Sequence, residues 1–300
     1  MPKLKPKANT QDIMIGADPE LFAVNFKGEV LSVHDILPGT KASPLQVPKG
    51  AIQVDGIAAE FNIEPAKNRK EFLYNIEHVM RLMTMLLHRT HPGLTLRADP
   101  VAHLSREYMS QLPLNALALG CEPDYNAYTG KPQPKPSETA LFRTGSGHVH
   151  VSWTKDRNPL NKKHFMTCRN LVQEWDFVLY PQSKMWDNDT QRMELYGKPG
   201  SFRPKSYGAE YRVLSNAWLR ETMTRQFVYD ACRAVTEQYF KGFMPSKKFG
   251  KMPTDDYTGY VKFLQRHHLP YIGDYGRYAN VAENMAKMDI DGQLADYHGA

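Results

Sequence analysis

Apolar and polar positions alternate along several stretches of the chain, with the period of two that is typical of half-buried strands. Residues 12–36 predict a hairpin whose turn lies at Lys27-Gly28, and residues 51–66 predict a second strand pair or one bent strand. Two later strands are predicted over FRTGSGHVHVSW, residues 142–153, and over YGAEYRVLSNAWL, residues 207–219.

Three other stretches predict helices, and in the first of them apolar residues recur at the 3.6-residue period of an amphipathic helix. The first covers residues 68–93 and ends at Pro92-Gly93, the second runs from a predicted N-cap at Asn161 to Tyr180, and the third covers residues 218–241. Residues 94–104 predict a strand. Clusters of Pro and Gly predict loops at 37–50, 120–140 and 187–206, and the length and polarity of the second indicate a functional loop.

Charged residues interrupt every predicted strand, whereas strands of a purely parallel sheet read as nearly continuous apolar runs. The pattern therefore predicts an α+β fold with a largely antiparallel sheet. We expect helices to pack on one face of this sheet and charged side chains to line the other. Residues 1–11 predict a disordered basic lead, and residues 12–300 predict a single domain.

The charged residues of the predicted strands recur at spacing i, i+2, which places their side chains on one face of a strand. The sets are Asp18 and Glu20; Glu60, Asn62 and Glu64; His148 and His150; and Glu210 and Arg212, with Asp55 nearby in sequence. Any one set is typical of a solvated strand face. Together they indicate a shared face with up to five carboxylates, whose mutual repulsion a divalent cation would relieve. Oxygen-rich ligation favours Mg²⁺ or Mn²⁺.

Carboxylate sites of this kind usually bind phosphates, yet the chain has no GxxxxGK[ST] motif. The Gly-rich turn RTGSGH, residues 143–148, is either a tight turn or a nest of backbone N–H groups for a phosphate. Arg143, Arg203 and Arg212 are candidates for binding a phosphate or a carboxylate.

Composition and charge limit the ligands and the cellular location that we expect. The formal net charge of +6 suits anionic ligands, either nucleotides or nucleic acid. The three cysteines form no CxxC pair, which predicts a reducing cytoplasm. No secretory signal is recognised, and no apolar run approaches the roughly 20 residues that a membrane helix needs. We expect a cytoplasmic protein without a membrane partner.

Three motifs also resemble those of a known superfamily. GSGHVHVS resembles the Gly-Ser-Gly-Met-His-x-His segment of glutamine synthetases, one residue shorter. GADPELF resembles the ExE strand of glutamine synthetases and glutamate–cysteine ligases, with Asp in place of the first Glu, and AEYRVLSNAW resembles their late strand. The order along the chain agrees. With VDGIAAEFNIEPA and GCEPDYNAYTG, the match over residues 12–220 is most similar to the bacteriophage carboxylate–amine ligases (type 2).

The resemblance implies a glutamine synthetase-like catalytic domain that joins a carboxylate to an amine with ATP, through an acyl phosphate and with two or three Mg²⁺ or Mn²⁺ ions. Asp18 and Glu20 would bind separate ions. Glu210 and His148 would share the ion of Asp18, and Asp55 and Glu60 would complete the other. Arg212 would contact the transferring phosphate, and Arg143 a phosphate or the substrate carboxylate. Ser146, Gly147 and His150 would face the nucleotide, with His150 alternatively supporting a ligand.

The resemblance is partial, and two other functions stay open. The small N-terminal domain of glutamine synthetases has no counterpart, so their dodecamer is not implied, and no glutamate or ammonia signature is present. The resemblance implies small-molecule or peptide carboxylates and amines as substrates and, if a phage encodes the chain, the cytoplasm of the infected host as the location. The same carboxylates suit a metal-dependent phosphohydrolase or nuclease. Basic and aromatic residues interleaved in KSYGAEYR and EQYFKGF suit a non-catalytic phage protein that binds nucleic acid.

Overall fold

The computed structural model describes residues 12–117, 124–134, 140–250 and 256–275. The predicted basic lead, the end of the predicted domain after residue 275 and parts of the predicted loop at 120–140 lie outside these ranges. The strands are β1 Met14–Val24, β2 Val30–Leu31, β3 Leu45–Val47, β4 Gly50–Asp55, β5 Ala58–Ile63, β6 Thr95–Arg97, β7 Val101–His103, β8 Tyr125–Asn126, β9 Phe142–Thr144, β10 Gly147–Ser152, β11 Ser201–Lys205 and β12 Gly208–Tyr211.

Three long helices and several short ones accompany these strands. The helices are α1 Arg69–Thr90, α2 Arg106–Gln111, α3 Leu114–Leu117, α4 Lys162–Ser183, α5 Arg192–Leu195, α6 Thr222–Phe240, α7 Pro245–Phe249 and α8 Tyr257–Arg266, with 3₁₀ turns at Asn216–Leu219 and Ile272–Tyr275. Within the described ranges, every helix falls short of the uninterrupted apolar length that a bilayer crossing needs. The predicted mixture of helices and antiparallel strands is confirmed.

The main sheet has the strand order β3-β4-β5-β1-β10-β12-β11-β8, and each of these neighbouring pairs is antiparallel. The long strand β1 lies at its centre. Its first half pairs with β10 and its middle pairs with β5, while its last residues pair with β2 and β6. Strands β7 and β9 form a separate pair. Strand β1 therefore connects the two halves of the sheet.

The pairing register divides the sheet into a charged face and an apolar face. Residues directly opposite each other in an antiparallel pair share a face. Asp18 is opposite His148, Glu20 is opposite Glu60, and His150 is opposite Glu210. The alternate positions carry buried apolar side chains such as Val149. The period of two in β1, β10 and β12, together with the pairing of Glu20 with Glu60 of β5, thus sends all of these charged groups to the same side.

Helices α1, α4 and α6 cover the apolar face and, together with the strands, form the main hydrophobic core. Asn68 caps α1 by accepting a hydrogen bond from the Glu71 backbone N, and the apolar stripe of α1 is buried. Asn161 caps α4 in the same way, as predicted. Fully buried Trp175 of α4 donates to Thr236 Oγ1 of α6 at 3.1 Å, and burying such a ring removes its apolar surface from water.

Several predicted boundaries were wrong. Residues 187–206 are not one loop, because they contain α5 and β11; Pro204 inside β11 disguised the strand. The third long helix begins at Thr222, since Ser215 caps a separate 3₁₀ turn. Residues 142–153 and 94–104 each split into two short strands, and β3 lies within the predicted loop at 37–50. The stretch at 51–66 is a strand pair, β4 and β5.

Candidate functional site

Two groups of three potential metal ligands lie on the charged face, one on either side of β1. Glu20 of β1, Asp55 and Glu60 form the first group, which we name the acidic triad. Asp18 of β1, His150 and Glu210 form the second, the mixed triad. Within each triad, one ligand atom from each residue lies within 4.8 Å of the other two. Because Asp18 and Glu20 are spaced i, i+2 on β1, this strand contributes one carboxylate to each triad.

The acidic triad is held from both sides. The Ser146 backbone N donates to Glu20 Oε2 at 2.9 Å, and the Glu20 backbone N donates to Ser146 O at 2.9 Å. The Asn216 amide donates to Glu20 O at 2.8 Å. Lys41 Nζ lies 2.6 Å from Asp55 Oδ2, while Glu60 Oε2 is buried and accepts no hydrogen bond. The triad therefore contains a buried carboxylate oxygen that needs a donor or a cation.

The electrostatics of the acidic triad show an excess of negative charge. Burial, followed by the charge of Asp55, raises the pKa of Glu20 to about 7. Burial and the charges of Asp18 and Glu20 raise the pKa of Glu60 well above its usual range. Three carboxylates that close cannot all ionise at low cost when one lysine is the main nearby cation. Without another cation, protons must supply part of the compensation.

The mixed triad brings both histidines to Asp18 and Glu210. His150 Nε2 lies 3.0 Å from Asp18 Oδ1, and both atoms are buried without a well-aligned hydrogen bond. His148 Nδ1 lies 3.6 Å from Asp18 Oδ1 and 3.5 Å from Glu210 Oε1. The distances place His150 closer than His148 to the Asp18 carboxylate, although the resemblance assigned the ion to His148.

Three basic side chains compensate Glu210, whose side chain is only 1% exposed. Arg212 donates to Glu210 Oε1, Lys205 Nζ lies 2.9 Å from Oε2, and Arg203 Nη1 lies 3.4 Å from Oε2. Arg212 also donates to His148 Nδ1 at 3.1 Å, and its Nε lies 2.9 Å from Asp124 Oδ1. The mixed triad is therefore part of a larger, nearly neutral ion network.

The basic side chains around the mixed triad lower the pKa values of its two carboxylates, whereas the pKa values of Glu20 and Glu60 in the acidic triad are raised. Burial acts to raise the pKa of Glu210, but Arg212 and the histidines outweigh it and hold that pKa well below its usual range. Burial also opposes ionisation of Asp18, and the charge of His150 overcomes it, so the pKa of Asp18 is lowered. Burial and Arg212 lower the pKa of His148, whereas Asp18 overcomes burial and raises the pKa of His150. Both carboxylates are ionised at neutral pH.

Both triads fit a divalent cation, to different degrees. The acidic triad offers only oxygen ligands, an orphaned carboxylate oxygen and uncompensated charge, which suit Mg²⁺ or Mn²⁺. The mixed triad offers Asp18 Oδ1 and His150 Nε2, two buried atoms that lie 3.0 Å apart, and its nitrogen favours Mn²⁺ over Mg²⁺. There a cation would compete with Arg212 for Glu210. The fit is thus stronger at the acidic triad.

The Gly-Ser-Gly turn and Arg143 have local partners. The backbone N–H groups of Gly145, Ser146 and Gly147 donate to Pro100 O, the Glu20 carboxylate and Leu214 O, which leaves none of the three for a phosphate nest. The turn instead fixes Glu20. The guanidinium of Arg143 donates to the carbonyl oxygens of Ala140, Phe142 and Leu117, and Arg143 belongs to neither triad.

Four polar residues at this face were not predicted. Lys41, Asp124 and Lys205 contact the predicted carboxylates or arginines, and Tyr207 contacts His150. Lys205 follows Arg203 at spacing i, i+2, so recognising β11 would have placed both on the charged face. Lys41 and Asp124 lie outside the strands, where the sequence carries no periodic signal.

Comparison with known proteins adds no assignment: the sequence matches no protein-family model and no curated protein.

Proposed function

We propose that this chain is an ATP-dependent carboxylate–amine ligase with a glutamine synthetase-like catalytic domain, and that it acts in the cytoplasm. One observation carries the proposal: two triads of potential ligands flank one strand, and a cluster of basic side chains lies beside one of them. Paired cation sites next to arginines suit the charge of a transferring phosphoryl group. The two free cysteines in the described ranges are both buried, which is compatible with a reducing compartment.

In the proposed reaction, a substrate carboxylate oxygen attacks the γ-phosphorus of ATP and ADP leaves. The amine nitrogen then attacks the acyl carbon, the phosphate leaves, and the nitrogen loses a proton. Bound Mg²⁺ or Mn²⁺ would neutralise phosphate charge at the two triads. Arg212 and Arg203 present guanidinium groups at the charged face, where they would orient anionic oxygens. The hydrogen bond from Ser146 N would keep the Glu20 carboxylate in place.

The test measures trapping of an activated carboxylate. Purified protein is incubated with ATP, Mg²⁺ or Mn²⁺, a panel of amino acids and short peptides as carboxylates, and hydroxylamine as the amine. Hydroxylamine converts an acyl phosphate into a hydroxamate. We expect hydroxamate and ADP to form together, and to fall at least 100-fold in Glu20→Gln, because an ion that compensates the transferring phosphate would be lost.

Glu64→Gln is the matched control, since Glu64 is an exposed carboxylate beyond the end of β5 that pairs with Lys49 at 3.2 Å. It should keep full activity. Metal-dependent release of phosphate from ATP without any amine or carboxylate would instead favour the phosphohydrolase. Metal-dependent cleavage of DNA would favour the nuclease, and DNA binding that needs neither metal nor ATP would favour the nucleic-acid-binding protein.

A further inference from the structure

Tyr207 occupies a rigid position at the edge of the mixed triad. It lies in the two-residue connection between β11 and β12. Its backbone oxygen accepts hydrogen bonds from Trp153 N at 3.0 Å and Thr154 N at 3.1 Å, immediately after β10. The turn is thereby tied to the strand that carries both histidines. Tyr207 is thus a fixed neighbour of β10 and not a free loop side chain.

The Tyr207 hydroxyl reaches the side of His150 that faces away from the triad. Its oxygen lies 2.5 Å from His150 Nδ1, and the two rings are tilted by 43° with centroids 6.1 Å apart. The other ring nitrogen, Nε2, lies 3.0 Å from Asp18 Oδ1. The imidazole therefore bridges the phenol and the Asp18 carboxylate through its two nitrogens.

His148 has different surroundings. Its Nδ1 accepts a hydrogen bond from Arg212, so a cationic donor already uses that nitrogen's lone pair. His150 Nε2, in contrast, is buried, faces the Asp18 carboxylate and belongs to the mixed triad. A histidine that binds a metal through one nitrogen usually has the other nitrogen hydrogen-bonded to a protein group, which fixes the ring and its tautomer. Tyr207 supplies such a group to His150.

We propose that Tyr207 is a positioning residue that orients His150, and that His150 is the histidine that binds a divalent cation at the mixed triad. With a cation bound, His150 Nδ1–H donates to the Tyr207 oxygen and Nε2 presents its lone pair to the ion. This inference rests on the proposed function and refines it, because it selects between two histidines on one strand face and adds a residue from the neighbouring turn.

The experiment uses Mn²⁺ alone as the probe and the full chain as the protein. Calorimetry gives the affinity, and pulsed electron paramagnetic resonance detects the ¹⁴N coupling of a bound imidazole. We expect a nitrogen signal in the wild type that His150→Gln abolishes. Tyr207→Phe should weaken Mn²⁺ binding at the nitrogen-containing site by about 10-fold or more and reduce the nitrogen signal. A merely structural role for Tyr207 would not change that signal in folded protein.

Tyr128→Phe is the control, because it also removes the hydroxyl of a partly buried tyrosine, one that donates to Asp176 at 3.0 Å. Asp176 belongs to α4 on the other side of the sheet. It should leave Mn²⁺ affinity and the nitrogen signal unchanged. Unchanged affinity and signal in Tyr207→Phe would overturn this inference while leaving the proposed function intact. No Mn²⁺ binding by the wild type would overturn both.

A second measurement does not depend on the folding of a variant. In ¹⁵N-histidine-labelled wild type saturated with Mg²⁺, the ¹⁵N shifts report which nitrogen of His150 carries the proton. We expect a proton on Nδ1 and none on Nε2. A proton on Nε2 would overturn the assignment. In the Mn²⁺ experiment, a nitrogen signal that His148→Gln abolishes and His150→Gln does not would also overturn it.

Discussion

The acidic triad and the mixed triad share β1, the same sheet face and a similar ligand spacing, yet their electrostatics are opposite. Around Glu20 and Glu60 the carboxylates repel one another, and burial holds their pKa values high. Around Asp18 and Glu210 the histidines and Arg212 hold the pKa values low. The acidic triad has an excess of negative charge that a bound cation would compensate. At the mixed triad, basic side chains of the protein already compensate the carboxylates.

The difference follows from which hairpin supplies the second side of each triad. The β4–β5 hairpin contributes Asp55 and Glu60 and presents no basic side chain at the triad, so half-exposed Lys41 from a loop is its cation. The β11–β12 hairpin contributes Glu210 together with Arg203 and Lys205 on the adjacent strand. A cation at the acidic triad would therefore gain more electrostatic energy than one at the mixed triad.

The largest expected effect is on folding, and it is confined to the mixed triad. Glu210→Gln removes the anion shared by Arg203, Lys205 and Arg212, so part of the positive charge of this network is left uncompensated. We expect the free energy of unfolding to fall by about 3–5 kcal/mol, measured by urea denaturation without metal. Glu64→Gln, at an exposed pair, should change it by less than about 1 kcal/mol. Equal losses in the free energy of unfolding of Glu210→Gln and Glu64→Gln would contradict the expected difference between the buried ion network and an exposed ion pair.

Metal should stabilise mainly through the acidic triad. At free Mg²⁺ of about 100 times the dissociation constant, binding to the folded state alone adds about 2.7 kcal/mol to the free energy of unfolding. Glu60→Gln should lose most of this gain, because it removes the orphaned carboxylate oxygen and one negative charge. His150→Gln should keep most of it. Thermal denaturation with and without Mg²⁺ measures both, and a larger loss in His150→Gln would reverse the order of the two sites.

The carboxylates of the two triads should also respond oppositely to pH in metal-free protein. The folded pKa of Glu20 is about 7 against its usual 4.5, so the folded state binds more protons between these values and the free energy of unfolding falls as pH rises. This decrease in the free energy of unfolding is on the order of 1–3 kcal/mol. The lowered pKa values of Asp18 and Glu210 give stability that is present above their usual range and lost as pH falls below about 4.

Urea denaturation across pH 3–8 tests this window. We expect maximal metal-free stability at weakly acidic pH, and we expect Glu20→Gln or saturating Mg²⁺ to flatten the loss towards neutral pH. An unchanged slope in Glu20→Gln would show that the acidic triad is not its origin.

The smallest expected effect concerns Lys41, whose side chain is 51% exposed. Lys41→Gln removes the half-exposed pair with Asp55, so we expect the free energy of unfolding to fall by at most about 1 kcal/mol. Mg²⁺ affinity should rise a few-fold, because the lysine no longer competes with the ion for Asp55. Calorimetry measures this change, and weaker Mg²⁺ binding in Lys41→Gln would mean that Lys41 supports the site.

Local patterns in the sequence predicted the main helices and strands well. The apolar stripe and Asn68 cap of α1, and the Asn161 cap of α4, fix helices with little help from distant residues. The alternation in β1, β10 and β12 predicted that Asp18, Glu20 and Glu210 point to one face. Where Pro204 interrupts the pattern, the prediction failed: β11 was missed, so neither Arg203 nor Lys205 was placed on the charged face.

The sequence alone determined the antiparallel strands, the helices on one side and a charged face rich in carboxylates, because periodicity and capping act over a few residues. Only the tertiary structure determined which charged side chains lie next to one another. The pairing of Asp18 with His148, and of Glu20 with Glu60, joins residues far apart in the chain, and no local pattern encodes such a register. That register separates one set of acidic residues into a triad with one half-exposed lysine and a triad compensated by several basic side chains.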